Sequence, residues 1–118
     1  MDNLTKAIAR LIELTQKGMI RWERIEPPDL KATDEYTEIA FGTEYDGERL
    51  RVFRRRSKVA IDEDRLAWSE NPVVQIIDTA GRTLYEFPIT PATYDLIDTV
   101  QYQVSGVGPW IDKLASGD

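Results

Sequence analysis

Hydrophobic residues near the N-terminus recur at the spacing of one face of an α-helix. The pattern predicts a helix over about residues 3–17, with Asp2 or Asn3 as its N-cap and Gly18 just after its end. We expect this helix to pack one apolar face on the rest of the domain. The residues of that face are Leu4, Ala7, Ile8, Leu11, Ile12 and Leu14.

A period of two replaces the helical period after the first helix. Ile20 and Trp22 alternate with Arg21 and Glu23, which predicts a strand over residues 19–25. Pro27 and Pro28 end that strand because proline cannot donate to a sheet ladder. Residues 26–35 are then predicted to form a polar loop.

Asp46-Gly47 predicts a two-residue hairpin turn between strands over residues 35–45 and 48–56. A type I′ turn needs positive φ at both central positions, which Asp-Gly tolerates. The turn fixes a register in which apolar groups meet and opposite charges meet. The predicted cross-strand pairs are Tyr45–Glu48, Glu44–Arg49, Thr43–Leu50, Phe41–Val52, Ala40–Phe53 and Glu38–Arg55.

Residues 57–71 allow two interpretations. Residues 59–61 extend the preceding strand, whereas residues 62–64 are typical of a turn or a helix start, so a short helix near residues 64–70 stays open. The run after Pro72 is apolar at both parities and β-branched, which predicts a central strand. The last two strands are predicted over residues 73–77 and 82–87.

The last long helix is predicted to begin at Thr90-Pro91, a capping hydroxyl followed by proline at the first helical position. Gly106 ends it. A short final turn is then expected to pack Trp110 and Leu114 against the body of the domain.

The order of these elements predicts the fold class. A chain of 118 residues fits one domain over residues 1–118. Consecutive strands joined by short turns favour an antiparallel sheet. We therefore expect an α+β fold with an N-terminal helix, an antiparallel β-meander of about five strands and a C-terminal helix, the helices lying mainly on one face of the sheet.

Two absent residue types limit the catalytic and metal sites that this chain can form. The chain has no cysteine and no histidine, which removes thiolate sites, the commonest general base and the usual zinc ligand. We expect no enzymatic activity, no metal and no cofactor. No secretory signal pattern and no run of 18 or more apolar residues occur, so the sequence predicts a cytoplasmic protein without a membrane span.

Charge is unevenly placed along the chain. The net charge is −6, but residues 1–60 carry 12 basic and 11 acidic groups, whereas residues 61–118 carry 3 basic and 10 acidic groups. An acidic surface repels nucleic acid and anionic lipid in general. The sequence therefore argues against nucleic acid and membrane as partners.

Two runs of sequence carry a family resemblance: residues 14–23 (LTQKGMIRWE), and IDTAG at residues 77–81 with YEFP at residues 85–88. In these runs the chain resembles short bacterial and phage-associated proteins of helix–β-meander–helix build that have no assigned activity. The resemblance covers most of the chain. It implies a small intracellular accessory protein.

A run of basic residues marks the second hairpin strand, and on a strand its members alternate between the two faces. One interpretation is a site for an anion such as a phosphate, a nucleic acid or an acidic protein. The other, which the acidic residues Glu38 and Glu44 across the hairpin favour, is an edge strand protected by charge. The basic residues are Arg49, Arg51, Arg54, Arg55, Arg56 and Lys58.

Two further groups could bind a ligand or partner. Asp62-Glu63-Asp64 offers oxygen ligands to a hard cation, but the central glycine of a calcium loop is missing, so a solvated turn is favoured. Tryptophan is usually a core residue and is also enriched at interface hot spots. Of the three tryptophans, Trp68 lies in the least regular segment and is the best candidate for an exposed one.

The function that these patterns favour is a non-enzymatic protein-interaction module, such as an accessory, immunity- or antitoxin-like protein. Its partner is another protein or a second copy of itself bound through the sheet, as a homodimer. The alternative is binding of a small anionic ligand or nucleotide near the arginine-rich strand. The candidate binding residues are Arg51, Arg54, Arg55, Arg56, Lys58 and Trp68.

Overall fold

A computed structural model describes residues 2–30, 35–37 and 39–117 of the chain. The fold is of the predicted α+β class, with an N-terminal helix, an antiparallel sheet and two C-terminal helices. The elements in chain order are α1 (Asn3–Gln16), β1 (Glu23–Ile25), β2 (Glu35–Tyr36), β3 (Ala40–Tyr45), β4 (Glu48–Asp62), β5 (Arg65–Ile77), β6 (Thr83–Glu86), α2 (Pro91–Ser105) and α3 (Gly108–Ala115).

The sheet has the strand order β1-β3-β4-β5-β6, and all its pairs are antiparallel. Strands β3 to β6 are neighbours both in sequence and in space, as a meander requires. The short strand β2 pairs with β4 at Arg56 and Ser57, beyond the end of β3. Strand β4 is the central strand of the sheet and is much longer than β3, so its interpretation as an edge strand protected by charge is wrong.

The hairpin turn is confirmed in both conformation and register. Asp46 has a φ of 51° and Gly47 a φ of 83°, the positive values that a type I′ turn requires. Phe41 lies opposite Val52, and the other predicted pairs from Ala40–Phe53 to Tyr45–Glu48 are present. Glu38, the predicted partner of Arg55, lies outside the described residues.

The main core lies between the two long helices and one face of the sheet, which we call the helix face. Its largest fully buried side chains include Ile8, Leu14, Leu96 and Ile97 from the helices. The sheet contributes Phe41, Leu50, Val52 and Val74. The predicted apolar face of the first helix is thus confirmed at Ile8, Leu11, Ile12 and Leu14, whereas Leu4 and Ala7 are exposed.

A second apolar cluster lies on the opposite face of the sheet, which we call the loop face. Ala40, Phe53 and Val73 are buried there, and Ile25 and Leu30 pack over them. Because Leu30 belongs to the connection after β1, that connection covers part of the face that carries no helix. Both faces of the sheet are therefore covered, the helix face by two long helices and part of the loop face by a connecting segment.

Several predicted segments differ from the structure. The strand predicted over residues 35–45 is divided into β2 and β3, the one over residues 48–56 extends to Asp62, and the one over residues 73–77 begins at Arg65. The strand predicted over residues 19–25 is only Glu23–Ile25, because the N–H of Trp22 is bound by the side chain of Gln103 and not by a strand. The alternative of a short helix near residues 64–70 is also wrong. Those residues belong to β5, where Trp68 pairs with Lys58 and Ala67 with Val59.

The expected packing of Trp110 and Leu114 is also wrong. Both lie on α3, where they are 65% and 64% exposed, and no residue of α3 is buried. Gly106 takes a left-handed φ of 68°, which ends α2 and starts a new chain direction. Within the described residues, no helix is long and apolar enough to cross a membrane.

Candidate interaction site

The alternation of β4 divides the basic run between the two faces of the sheet. Arg51 and Arg55 flank Phe53 on the loop face, whereas Arg54 and Arg56 lie on the helix face, as strand geometry requires. Lys58 lies further along β4, opposite Trp68. The residues proposed as one binding site are thus three separate groups.

Arg51 is buried on the loop face, and all three nitrogens of its guanidinium group donate hydrogen bonds. Its Nε and Nη2 lie 2.9 Å and 2.7 Å from Oε1 of Gln75. Its Nη1 donates to the carbonyl oxygen of Gly81 at 3.1 Å, and Nη2 also reaches the hydroxyl of Thr83. Burial lowers the pKa of Arg51. These contacts tie β4 to the turn before β6 and to β6 itself, which is a structural role.

Arg55 is held by two carboxylates on the same face. Nη1 and Nη2 donate to the two oxygens of Glu86 at 3.2 Å and 2.9 Å. Nε lies 2.9 Å from a carboxylate oxygen of Glu35, an ion-pair contact whose angle is outside hydrogen-bond geometry. The bond to Glu86 raises the pKa of Arg55, and the same bond, helped by Gln75, lowers the pKa of Glu86.

Phe53 connects the two arginines of the loop face. The guanidinium carbons of Arg51 and Arg55 lie 5.9 Å and 5.8 Å from its ring centroid, within cation–π range. Gln75 donates to Glu86 at 2.9 Å and so links the two arginines through a chain of polar contacts. This network occupies the surface that would otherwise be open on the loop face.

Arg54 and Arg56 share a carboxylate on the helix face. Arg54 binds Asp98 at 2.6 Å and lies 3.4 Å from Glu70, and it also donates to Gln101. Arg56 binds the other oxygen of Glu70 at 2.8 Å. Carboxylates on β5 and α2 thus neutralise the charge of the arginines on this face.

A cavity of about 340 Å³ opens beside Arg54 and Arg56. Its apolar floor is formed by Ile39, Phe41 and Ile97. Its polar wall is formed by the two arginines with Glu70 and Gln101. A small ligand with an apolar body and a polar end matches this lining, but the carboxylates that already bind the arginines oppose an anion.

Two other cavities lie outside the basic run of the helix face. One of about 480 Å³ on the loop face is lined by Arg51, Arg55 and Glu86, of which Arg55 and Glu86 bind each other. The other, of about 470 Å³, lies between α1 and α2 near Gly18 and Tyr102. The hydroxyls of Thr15 and Thr99 at the second cavity donate to backbone carbonyl oxygens and not to a carboxylate base. The described residues contain no group of three side chains suited to hold a metal ion.

The acidic triplet forms a turn, as the favoured interpretation predicted. Oδ1 of Asp62 accepts from the N–H of Asp64 at 3.0 Å, and Oδ2 binds Arg65 at 2.8 Å. The bond from Arg65, with help from the N–H of Asp64, lowers the pKa of Asp62. These contacts close the long hairpin between β4 and β5 at Glu63-Asp64.

The far half of that hairpin is the most distinctive surface of the molecule. We call residues 58–70 the arm. Strand β6 pairs with β5 only at Gln75–Ile77, and β2 reaches only Ser57 of β4, so the arm projects as a two-stranded ribbon. The longest dimension of the protein is 53 Å, against 38 Å and 32 Å for the others.

The arm exposes large apolar side chains. Trp68 is 59% exposed, as expected, and Leu66 is 67% exposed. Val59 and Ile61 on β4 are also exposed. Nζ of Lys58 lies 5.5 Å from the ring centroid of Trp68, so the basic run ends on the aromatic group of the arm.

Comparison with protein-family models, curated proteins and solved structures finds no match to this chain. The arm is therefore interpreted from its own geometry. Of the predicted site residues, the structure brings Lys58 and Trp68 together on it. Sequence reasoning missed Leu66, Val59 and Ile61. The signal that could have found them is the apolar alternation on both sides of Asp62-Glu63-Asp64.

Proposed function

We propose that this protein is a small, non-enzymatic protein-interaction module and that the arm is its contact element. The observation that carries the proposal is a projecting ribbon whose exposed side chains include Trp68, Leu66, Val59 and Ile61. Single exposed apolar residues are normal on a protein surface, but Trp68 and Leu66 share the helix face of the ribbon, and an exposed apolar face on a projecting element is typical of an interaction site.

The energetics favour a macromolecular partner. Covering a Leu, Ile or Val side chain stabilises by about 1.5–3 kcal/mol, so a partner that covers most of the arm gains a useful free energy of binding. Tryptophan is enriched among the residues that dominate such interfaces. Lys58 and Arg65 beside the apolar groups would add charge selectivity at the rim.

The partners of the arginines support the same choice. Arg51, Arg54 and Arg55 are each bound by side chains of this chain, and Arg56 is bound by Glu70. An anionic ligand would have to displace carboxylates from Arg54, Arg55 and Arg56. At Arg51 it would have to displace the amide oxygen of Gln75 and the carbonyl oxygen of Gly81. The cavity beside Arg54 and Arg56 keeps a small ligand as the second candidate, and a rise in melting temperature with a nucleotide or metabolite panel would favour it.

The biological class that we propose is a cytoplasmic accessory protein of immunity or antitoxin type. Such a protein acts by covering a surface of its target and needs no catalytic group. The absence of histidine and cysteine is compatible with that mode of action.

The test compares arm variants with a matched exposed residue elsewhere. Leu66→Ser and Trp68→Ser alter the arm, whereas Leu84→Ser alters an equally exposed leucine on β6. A partner is first identified by capture from the native host and then purified. We expect both arm variants to weaken its binding by about tenfold or more, which corresponds to about 1.4 kcal/mol, with little effect of Leu84→Ser.

Circular dichroism and melting temperature establish that the three variants keep the fold. If the purified partner binds the two arm variants as tightly as the unaltered protein, the arm is not the contact element. Weakening by Leu84→Ser alone would move the interface to β6.

A further inference from the structure

One edge of the arm has a backbone pattern that follows from the neighbouring pairing. The N–H of Phe87 donates to the carbonyl oxygen of Val74 at 2.8 Å, on the side of β5 that β6 occupies. From Leu66 to Ile77, β5 pairs with β4 without a register shift. Because backbone groups alternate along a strand, residues Leu66, Trp68 and Glu70 present their N–H and C=O groups to that same side.

This edge is unoccupied by the described part of the chain. Strand β6 ends its pairing with β5 near Val74, and no described strand continues beside the arm. Pro72, which has no N–H, stands where the arm meets the body, and the turn at Glu63-Asp64 closes the other end. The open edge is therefore short and bounded at both ends, from Leu66 to Glu70.

Such an edge is matched in length by a second copy of itself. An antiparallel pair related by a two-fold axis at Trp68 places Leu66 of each copy opposite Glu70 of the other. All three outward-facing residues of each copy then find partners for both N–H and C=O. Pro72 falls opposite the turn residue Asp64, where no ladder bond is lost.

Neighbouring registers fit less well. An axis at Ala67 would place Glu70 opposite Asp64, which joins like charges at a turn. An axis at Ser69 would place Leu66 opposite Pro72, which removes a donor from the ladder. The register centred on Trp68 avoids both losses.

The side chains fit the same register. On the helix face, the two Trp68 side chains meet at the axis, each with Lys58 of its own copy beside it. On the loop face, Ala67 of one copy lies opposite Ser69 of the other, and both are small. Aromatic cross-strand pairs stabilise a sheet, and small residues allow two ribbons to approach.

We propose that a second copy of this chain pairs with the arm through the β5 edge, antiparallel and centred on Trp68, to form one continuous sheet across a two-fold axis. The proposal rests on the arm being the contact element and names its partner. A paired edge of five residues is smaller than the interface of a permanent dimer, so the association is reversible and depends on protein concentration.

Engineered cysteines test the register, because the native chain has none. In the proposed pairing, the Cα atoms of residue 67 in one copy and residue 69 in the other are about 4.5 Å apart, within disulfide range. We therefore mix equal amounts of Ala67→Cys and Ser69→Cys, oxidise, and measure the products by mass spectrometry. The mixed disulfide is expected to exceed the two homotypic products well above statistical proportion, and Leu84→Cys mixed with either variant is expected to form little.

Light scattering over a wide concentration range tests the association itself. Trp68→Lys places two added positive charges at the axis and is expected to weaken dimerisation by about tenfold or more, whereas Leu84→Lys is expected to leave it unchanged. A monomer at all concentrations, or statistical disulfide products, would overturn the self-pairing. If the arm variants nevertheless bind a purified partner of another sequence more weakly than the unaltered protein does, the proposed interaction function stands and only this choice of partner fails.

Discussion

The side chain of Gln103 on α2 holds the backbone of Trp22. Its Oε1 accepts the N–H of Trp22 at 2.8 Å, while its Nε2 donates to the carbonyl oxygens of Ile20 at 2.7 Å and Thr15 at 3.1 Å. One amide thus satisfies three backbone groups where the chain passes from α1 to β1. This contact explains why the predicted strand begins only at Glu23.

Gln103→Leu is expected to lower the free energy of unfolding by about 2 kcal/mol or more, because it leaves partly buried backbone groups without partners. Urea denaturation followed by fluorescence measures the change. Gln101→Leu is the matched control, since Gln101 is an exposed glutamine on the same helix, and we expect it to cost less than about 1 kcal/mol. Equal losses in both variants would contradict the role of Gln103.

The type I′ turn predicts a second stability difference. Gly47→Ala puts a side chain at a φ of 83°, which costs about 1–2 kcal/mol, although no atom lies within 4 Å of the added carbon. Asp46→Asn keeps a residue that tolerates positive φ and is expected to change the free energy of unfolding by less than about 0.5 kcal/mol. Thermal or urea denaturation of the two variants checks the difference, and a neutral Gly47→Ala would argue against this turn.

The exposed and buried tryptophans predict opposite outcomes. Trp22→Phe removes the indole N–H that donates to the hydroxyl of Thr15 at 3.0 Å inside the core, and we expect a loss of about 1–3 kcal/mol. Trp68→Phe on the arm is expected to change stability by less than about 0.5 kcal/mol. Denaturation of both variants measures the contrast. A large loss at Trp68 would mean that the arm packs on the body.

Local signals explain which parts of the fold the sequence predicts. The hairpin from Ala40 to Phe53 is predicted correctly because its turn and its cross-strand partners lie in one short stretch of chain. The first part of the returning strand of the arm, from Arg65 to Pro72, is missed because the turn before it contains no glycine and is closed by the Asp62 carboxylate instead. The exposure of Trp110 is missed because an apolar side chain does not by itself indicate that a partner surface is available.

The candidate site was predictable only in part, for a related reason. Alternation along β4 correctly divides Arg51 and Arg55 from Arg54 and Arg56. Their acidic partners are not predictable from the strand, because Asp98 lies 44 residues from Arg54 and Glu86 lies 31 residues from Arg55. Only the folded sheet and α2 bring these charges together.

The ion pair between Arg55 and Glu86 predicts how stability depends on pH. The bond from Arg55, followed by that from Gln75, lowers the pKa of Glu86 below its ordinary value of 4.5. The unfolded chain therefore binds a proton at higher pH than the folded protein does. The stability that this carboxylate contributes is complete above about pH 4.5 and is lost as the pH falls through the folded-state pKa.

Glu86→Gln is thus expected to lower the free energy of unfolding by about 1 kcal/mol at pH 7, a modest value because the carboxylate is partly exposed. The difference from the unaltered protein should shrink as the pH is lowered below about 4.5, because protonation removes the same charge from Glu86. Urea denaturation at a series of pH values measures it. Glu63→Gln at the turn of the arm is the control, since Glu63 lies outside this network. A Glu86→Gln deficit that stays constant down to pH 2 would show that the lost stability does not come from the charge of the carboxylate.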